Sequence, residues 1–176
     1  NEGDKDFRAQ LTAIRTFKPD VIAATGYYTE AALICQQARA LGLDIPIIGG
    51  DGWEAPQLIE LGGAAVEGTY YSTHYSPESP APEVQGFIRR YRAHYAGEMP
   101  DAVAALGYDA MMLLADAMRR AGTTDGPAVR AALAATKDFP GVTGQTTIDA
   151  QRNPSKPAII VTVKQAKVQF VEAVLP

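Results

Sequence analysis

The sequence predicts an α/β fold built on a parallel sheet, and three observations carry that expectation. First, two short apolar runs, Val21-Ile22-Ala23-Ala24 and Ile45-Pro46-Ile47-Ile48, alternate with segments of helical period. Second, each run ends in a glycine-containing turn, Thr25-Gly26-Tyr27-Tyr28 and Gly49-Gly50-Asp51-Gly52-Trp53. Third, a strand–helix–strand–helix–strand order at this spacing calls for parallel strands joined by right-handed crossovers. Ligands of open α/β sheets sit outside the carboxyl ends of strands. A carboxylate and a phenol in these turns therefore suggest a pocket for something small, polar and cationic.

The elements follow in order. Asp4 is a candidate N-cap for a helix carrying Phe7, Leu11 and Ile14 on one face, and Lys18-Pro19-Asp20 breaks it. Val21–Ala24 is the first strand. Thr29–Leu41 is a helix with Ala31, Ile34, Ala38 and Leu41 inward and Gly42 as its stop. Ile45–Ile48 is the second strand. A short helix from Pro56 to Leu61 stops at Gly62-Gly63, and Val66–Thr73 is the third strand. The composition then shifts. Tyr75–Pro82 holds three prolines in six residues and reads as a crossing segment.

Three helices follow without a convincing strand between them. One spans Glu83–Tyr95, with Val84, Phe87, Ile88, Tyr91 and Tyr95 inward. One spans Ala102–Ala121, capped by Asp101 and stopped by Gly122. One spans Pro127–Thr136, capped by Thr124 or Asp125. Phe139–Gly144 is a second crossing candidate. Thr146–Ile148, Ala158–Val163 and Val168–Val174 read as strands, the last two joined at Gln165-Ala166, which lacks the Asn-Gly signature of a tight hairpin. The Ala- and Leu-rich helices need a sheet to cover, and none is encoded beside them. An N-terminal half outside this sequence is therefore expected.

The bulk numbers narrow the function. The 176 residues are 47% hydrophobic, enough for a real core, and the net charge of −4 comes with no long run of either sign. A nucleic-acid surface would need a basic stripe, and the Arg89-Arg90-x-Arg92 group reads as a solvated helix face. No apolar stretch approaches the ~20 residues that span a bilayer. Cys35 is the single cysteine and reads as a small core residue. His74 and His94 lie at no metal-ligand spacing, no Gly-x-Ser-x-Gly turn exists, and no Gly-x-Gly-x-x-Gly follows a strand. No metal, cofactor or catalytic residue is expected, and the chain reads as a non-enzyme.

Six stretches carry a family resemblance: Gly49–Trp53, Glu67-Gly68-Thr69-Tyr70-Tyr71, His74-Tyr75-Ser76-Pro77-Glu78, Pro100-Asp101-Ala102, Ala105–Ala110 and Phe139–Gly144. In this order they resemble the C-terminal half of ABC-transporter substrate-binding proteins of the branched-chain amino acid (Leu/Ile/Val-binding) family, type I periplasmic binding proteins. The resemblance implies Rossmann-like parallel sheets in two lobes that close on a ligand. It implies that 1–73 supplies βα units of the C-terminal lobe and 74–138 helices of the N-terminal lobe, and that 139–176 crosses back to end in the terminal strands.

The resemblance also implies the site. Asp51 would pair with the ligand's α-ammonium, and Tyr27, after Gly26, would support its polar end. Read from its place two residues after Asp51 rather than from the resemblance, Trp53 would line the cleft and cover the ligand's side chain. Val103 stands where the family often has a larger aromatic at the apolar end of the pocket. Each residue has a plainer reading: Asp51 caps its own turn, Tyr27 packs at the surface, Trp53 belongs to the rim or core, and Val103 merely begins a helix. Tyr28 should point away. The implied function is a solute-binding component of an ABC importer, taking a small, branched-chain or otherwise apolar amino acid. The implied location is periplasmic or extracytoplasmic, with or without a lipid anchor, and the implied partner is a membrane permease. The unmatched helices leave room for a homodimer. The alternatives are a ligand-sensing domain of the same fold in a regulator or receptor and, more remotely, an enzyme of the Rossmann class.

Overall fold

The computed structural model describes residues 3–176, which form two compact units. One comprises the chain through Thr73 together with Ile159–Glu172, and the other His74–Ala158 with the last four residues.

The first unit opens with α1 (Arg8–Thr16), β1 (Ile22–Ala23), α2 (Tyr28–Ala40), β2 (Ile47–Gly49), α3 (Pro56–Gly62) and β3 (Tyr70–Thr73). It is completed by β7 (Ala158–Lys164) and β8 (Lys167–Val174), and the sheet order is β1-β2-β3-β7-β8. β1, β2 and β3 run parallel, with Ile22 opposite Ile47 and Ile48 opposite Tyr70. β7 runs antiparallel to β3, so the sheet is mixed. Leu11, Ile22, Ala31, Ala32, Cys35, Ala38, Ile47, Leu58, Val66, Val161 and Val163 form its core. Burial pushes the Cys35 thiol up to about 11.

Several boundaries differ from the sequence expectation. The first helix starts at Arg8 rather than after Asp4. Asp6 accepts from the Arg8 amide and guanidinium, and that pairing holds its carboxyl down at about 2. The third strand starts at Tyr70 rather than Val66, because Gly63–Val66 coils into a 3-10 turn. Gly62 lacks the Cβ that would collide with Val66, so the turn tucks Val66 fully into the core. The final hairpin does turn at Gln165-Ala166, both at positive φ (55° and 53°). The Glu67 carboxylate accepts from both their amides, at 2.9 and 2.6 Å.

The second unit contains α4 (Pro82–His94), α5 (Ala102–Ala121) and α6 (Gly126–Ala134). Its small antiparallel sheet consists of β4 (Phe139–Gly141), β5 (Gly144–Ile148) and β6 (Pro154–Ser155). Asp101 caps α5 by accepting from the Ala104 amide at 2.7 Å, and Gly122 ends it in the left-handed conformation. Asp125, not Thr124, caps α6. Tyr75, Val84, Phe87, Ile88, Ala102, Ala105 and Val142 pack together. Phe139–Gly144, expected as a crossing segment, is instead a hairpin with Gly141 opposite Gly144. The turn is stable because Asp109, on α5 and 33 residues before Val142, accepts from the Val142 and Thr143 amides at 2.8 and 2.7 Å.

Candidate functional site

The parallel register puts the carboxyl ends of β1, β2 and β3 on one edge of the sheet. The chain leaves β1 through Gly26, whose φ of 134° is a conformation L side chains rarely adopt. Tyr27 follows as the extended N-cap residue of α2 and is 64% exposed. Tyr28 turns the other way and packs against the core.

The chain leaves β2 through Gly49 and an extended Gly50, then coils into a single 3-10 turn, Asp51–Trp53. The Trp53 amide donates to the Gly50 carbonyl at 3.1 Å and the Glu54 amide to the Asp51 carbonyl at 3.0 Å. The turn leaves Asp51 exposed and drives Trp53 inward. These two turns touch: a Cβ on Gly52 would lie 2.6 Å from the Gly26 carbonyl oxygen and 3.1 Å from the Tyr27 ring. Glycine at position 52 is what lets the Asp51 turn sit on the Gly26-Tyr27 turn.

Trp53 corrects one expectation. Its side chain is 0% exposed, so it offers no surface to a ligand. The ring lies over Gly49, where a Cβ would overlap it, and beside Tyr71 at 6.3 Å between centroids. It is the core aromatic of the two readings, and it supports the turn from beneath. Its size explains the burial: an indole removes far more apolar area from water inside than at a rim.

Two residues escaped the sequence reading. Thr73, the last residue of β3, donates its hydroxyl to the Glu54 carboxylate. Burial, with the Glu54 charge nearby, pushes the Tyr71 phenol well above its ordinary range. The only signal in the sequence was the acidic residue directly after Trp53. Among the described residues, no group of three or more His, Cys, Asp or Glu side chains could hold a metal ion, and no helix is long and apolar enough to cross a membrane.

The arrangement is a turn bearing Asp51 packed against a turn bearing Tyr27, at the carboxyl ends of the parallel strands of a mixed sheet. The sequence profile described as periplasmic binding protein matches residues 1–167. The chain belongs to the periplasmic binding protein family. Among the solved structures it resembles is a leucine-binding protein, LivK, from Thermotoga maritima. The two are 42% identical with a TM-score of 0.93, over all of this chain and 50% of that one. Another is the branched-chain amino acid transporter substrate-binding protein LivJ from Streptococcus pneumoniae, solved in complex with isoleucine. It is 38% identical with a TM-score of 0.85, over 99% of this chain and 50% of that one. A curated relative, Leu/Ile/Val-binding protein homolog 1 from Brucella suis, is 30% identical over 92% of this chain and 43% of its own length. The chain thus spans less than half the length of that relative and half that of the two solved structures.

In this periplasmic binding protein chain, Val103 occupies the first turn of α5 in the second unit and is 71% exposed. Met111, further along α5, is 65% exposed. Only Ala102, Ala105 and Ala117 of this twenty-residue helix are buried. α5 therefore presents an apolar face that this chain does not cover.

Proposed function

We propose that the chain belongs to the solute-binding component of an ABC importer and binds a small amino acid, branched-chain or otherwise apolar. The observation that carries this reading is the turn bearing Asp51 seated, through Gly52, on the Gly26-Tyr27 turn at the carboxyl ends of β1 and β2. An α-ammonium brings three donors to an acceptor-only carboxylate. A closed, dry site makes that match stringent, because an unmatched charge there is costly. Tyr27 supplies rigid apolar area with a hydroxyl at its tip, beside the Gly26 backbone. The Leu/Ile/Val-binding names of the relatives and the isoleucine held by LivJ support this ligand class. The same relatives support a non-enzymatic role, a location outside the cytoplasmic membrane and a permease partner.

The test is a thermal-shift panel of the twenty amino acids on the full-length protein, followed by calorimetry on Asp51→Asn. Leucine, isoleucine or valine should raise the melting temperature. Asp51→Asn should weaken binding by about 30-fold or more, because truncating one partner of a buried charge pair costs about 2–5 kcal/mol. Unchanged affinity would refute the role of Asp51.

A further inference from the structure

We infer that Glu54 and Thr73 are positioning residues that hold Asp51 in its binding geometry. This rests on the role proposed for Asp51 above. Asp51 sits on a single 3-10 turn, and one such turn has too few internal hydrogen bonds to fix its own orientation. The turn is anchored at two places. Trp53, set over Gly49, plugs it into the core from beneath. Glu54, the residue that ends the turn, accepts the hydroxyl proton of Thr73.

Thr73 is the firmer of the two partners. It is 3% exposed and ends β3, the middle strand of the five, which is paired on both sides. The Glu54 amide in turn donates to the Asp51 carbonyl. A continuous chain of bonds thus runs from the middle of the sheet through Thr73 and Glu54 to the backbone of Asp51. Hydrogen bonds to a charged carboxylate are the strong ones, and a site side chain performs only as well as the shell that fixes it.

The experiment is a double-mutant cycle on the full-length protein. Calorimetry with L-leucine, L-isoleucine and L-valine would be run on Thr73→Val, Thr73→Ser, Asp51→Asn and the Thr73→Val/Asp51→Asn pair. Thr73→Val keeps the shape and removes the hydroxyl, so affinity should fall about tenfold, the size of one charge-assisted hydrogen bond. Thr73→Ser restores the donor and should stay within about threefold of the parent. Because Thr73 acts through Asp51, Thr73→Val should cost nothing further in the Asp51→Asn background.

If Thr73→Val folds poorly, Glu54→Ala removes the same bond from its half-buried end and should show the same non-additivity. Full affinity in Thr73→Val or Glu54→Ala would overturn the inference. So would an equal further loss in the Asp51→Asn background, which marks a general structural effect. Wild-type affinity in Asp51→Asn, or no binding by the unaltered protein, would refute the functional reading and this inference with it.

Discussion

Gly52 is the position where one added methyl group should report on the whole site. A Cβ there would lie 2.6 Å from the Gly26 carbonyl oxygen, about 0.8 Å inside ordinary contact, and 3.1 Å from the Tyr27 ring. The first obstacle is backbone, so no flexible side chain can swing aside to make room. The two turns must move apart, which separates Asp51 from Tyr27. Overpacking of this kind costs about 1–3 kcal/mol. A displacement approaching 1 Å at a recognition site can cost on the order of tenfold to a hundredfold in function.

Gly50, two residues earlier, is the internal control. Its φ of −102° suits any residue, and an added Cβ would meet nothing within 4 Å. Gly50→Ala should therefore be neutral, or more stable by up to about 1 kcal/mol through reduced entropy of the unfolded chain. The assay is urea unfolding of both variants of the full-length protein, with calorimetry against L-isoleucine. If Gly52→Ala matched Gly50→Ala in both stability and affinity, the two turns would not be in contact and the site geometry argued above would be wrong.

Two further outcomes follow from the packing. Asp109→Ala should destabilise the second unit by about 2–4 kcal/mol, since it leaves the Val142 and Thr143 amides without their charged acceptor. Asp109→Asn, which keeps one acceptor oxygen, should lose roughly half as much, and equal losses in denaturant unfolding would refute the two-bond account. Stability should also fall in alkali through Cys35. Its folded thiol titrates at about 11, above the ordinary 9.0, so the unfolded chain releases the proton first. The contribution is complete below about pH 9 and is lost as pH rises towards 11, with a size of about 3 kcal/mol. Tyr71, raised by its own burial, acts in the same direction at higher pH. Comparing Cys35→Ala with the parent isolates the thiol, and parallel losses across this window would refute its role.

Much of the architecture was legible in the sequence because local chemistry encodes it. Asp101 and Gly122 bracket α5 as caps, since a short carboxylate side chain and a residue free to take positive φ answer needs local to each helix end. The two apolar runs became neighbouring parallel strands because short β-branched runs suit strands, with Ile22 and Ile47 buried on one face while Val21 and Ile48 stay exposed. The Asp51 turn was visible because glycines flank a polar residue directly after such a run.

What the sequence could not settle depended on partners distant along the chain. Gln165-Ala166 is poor hairpin chemistry by itself, and the turn holds because Glu67, about a hundred residues earlier, takes both amides. Phe139–Gly144 reads as a crossing segment until Asp109 supplies its acceptor. Trp53 could have faced a ligand or the core, and the missing Cβ of Gly49 together with Tyr71 decided for the core. The exposure of Asp51, its seat against Gly26-Tyr27 and its tie to Thr73 exist only once three strand ends share one edge. Local propensity is written in neighbouring residues. The direction a side chain faces is set by contacts that form only when the sheet assembles.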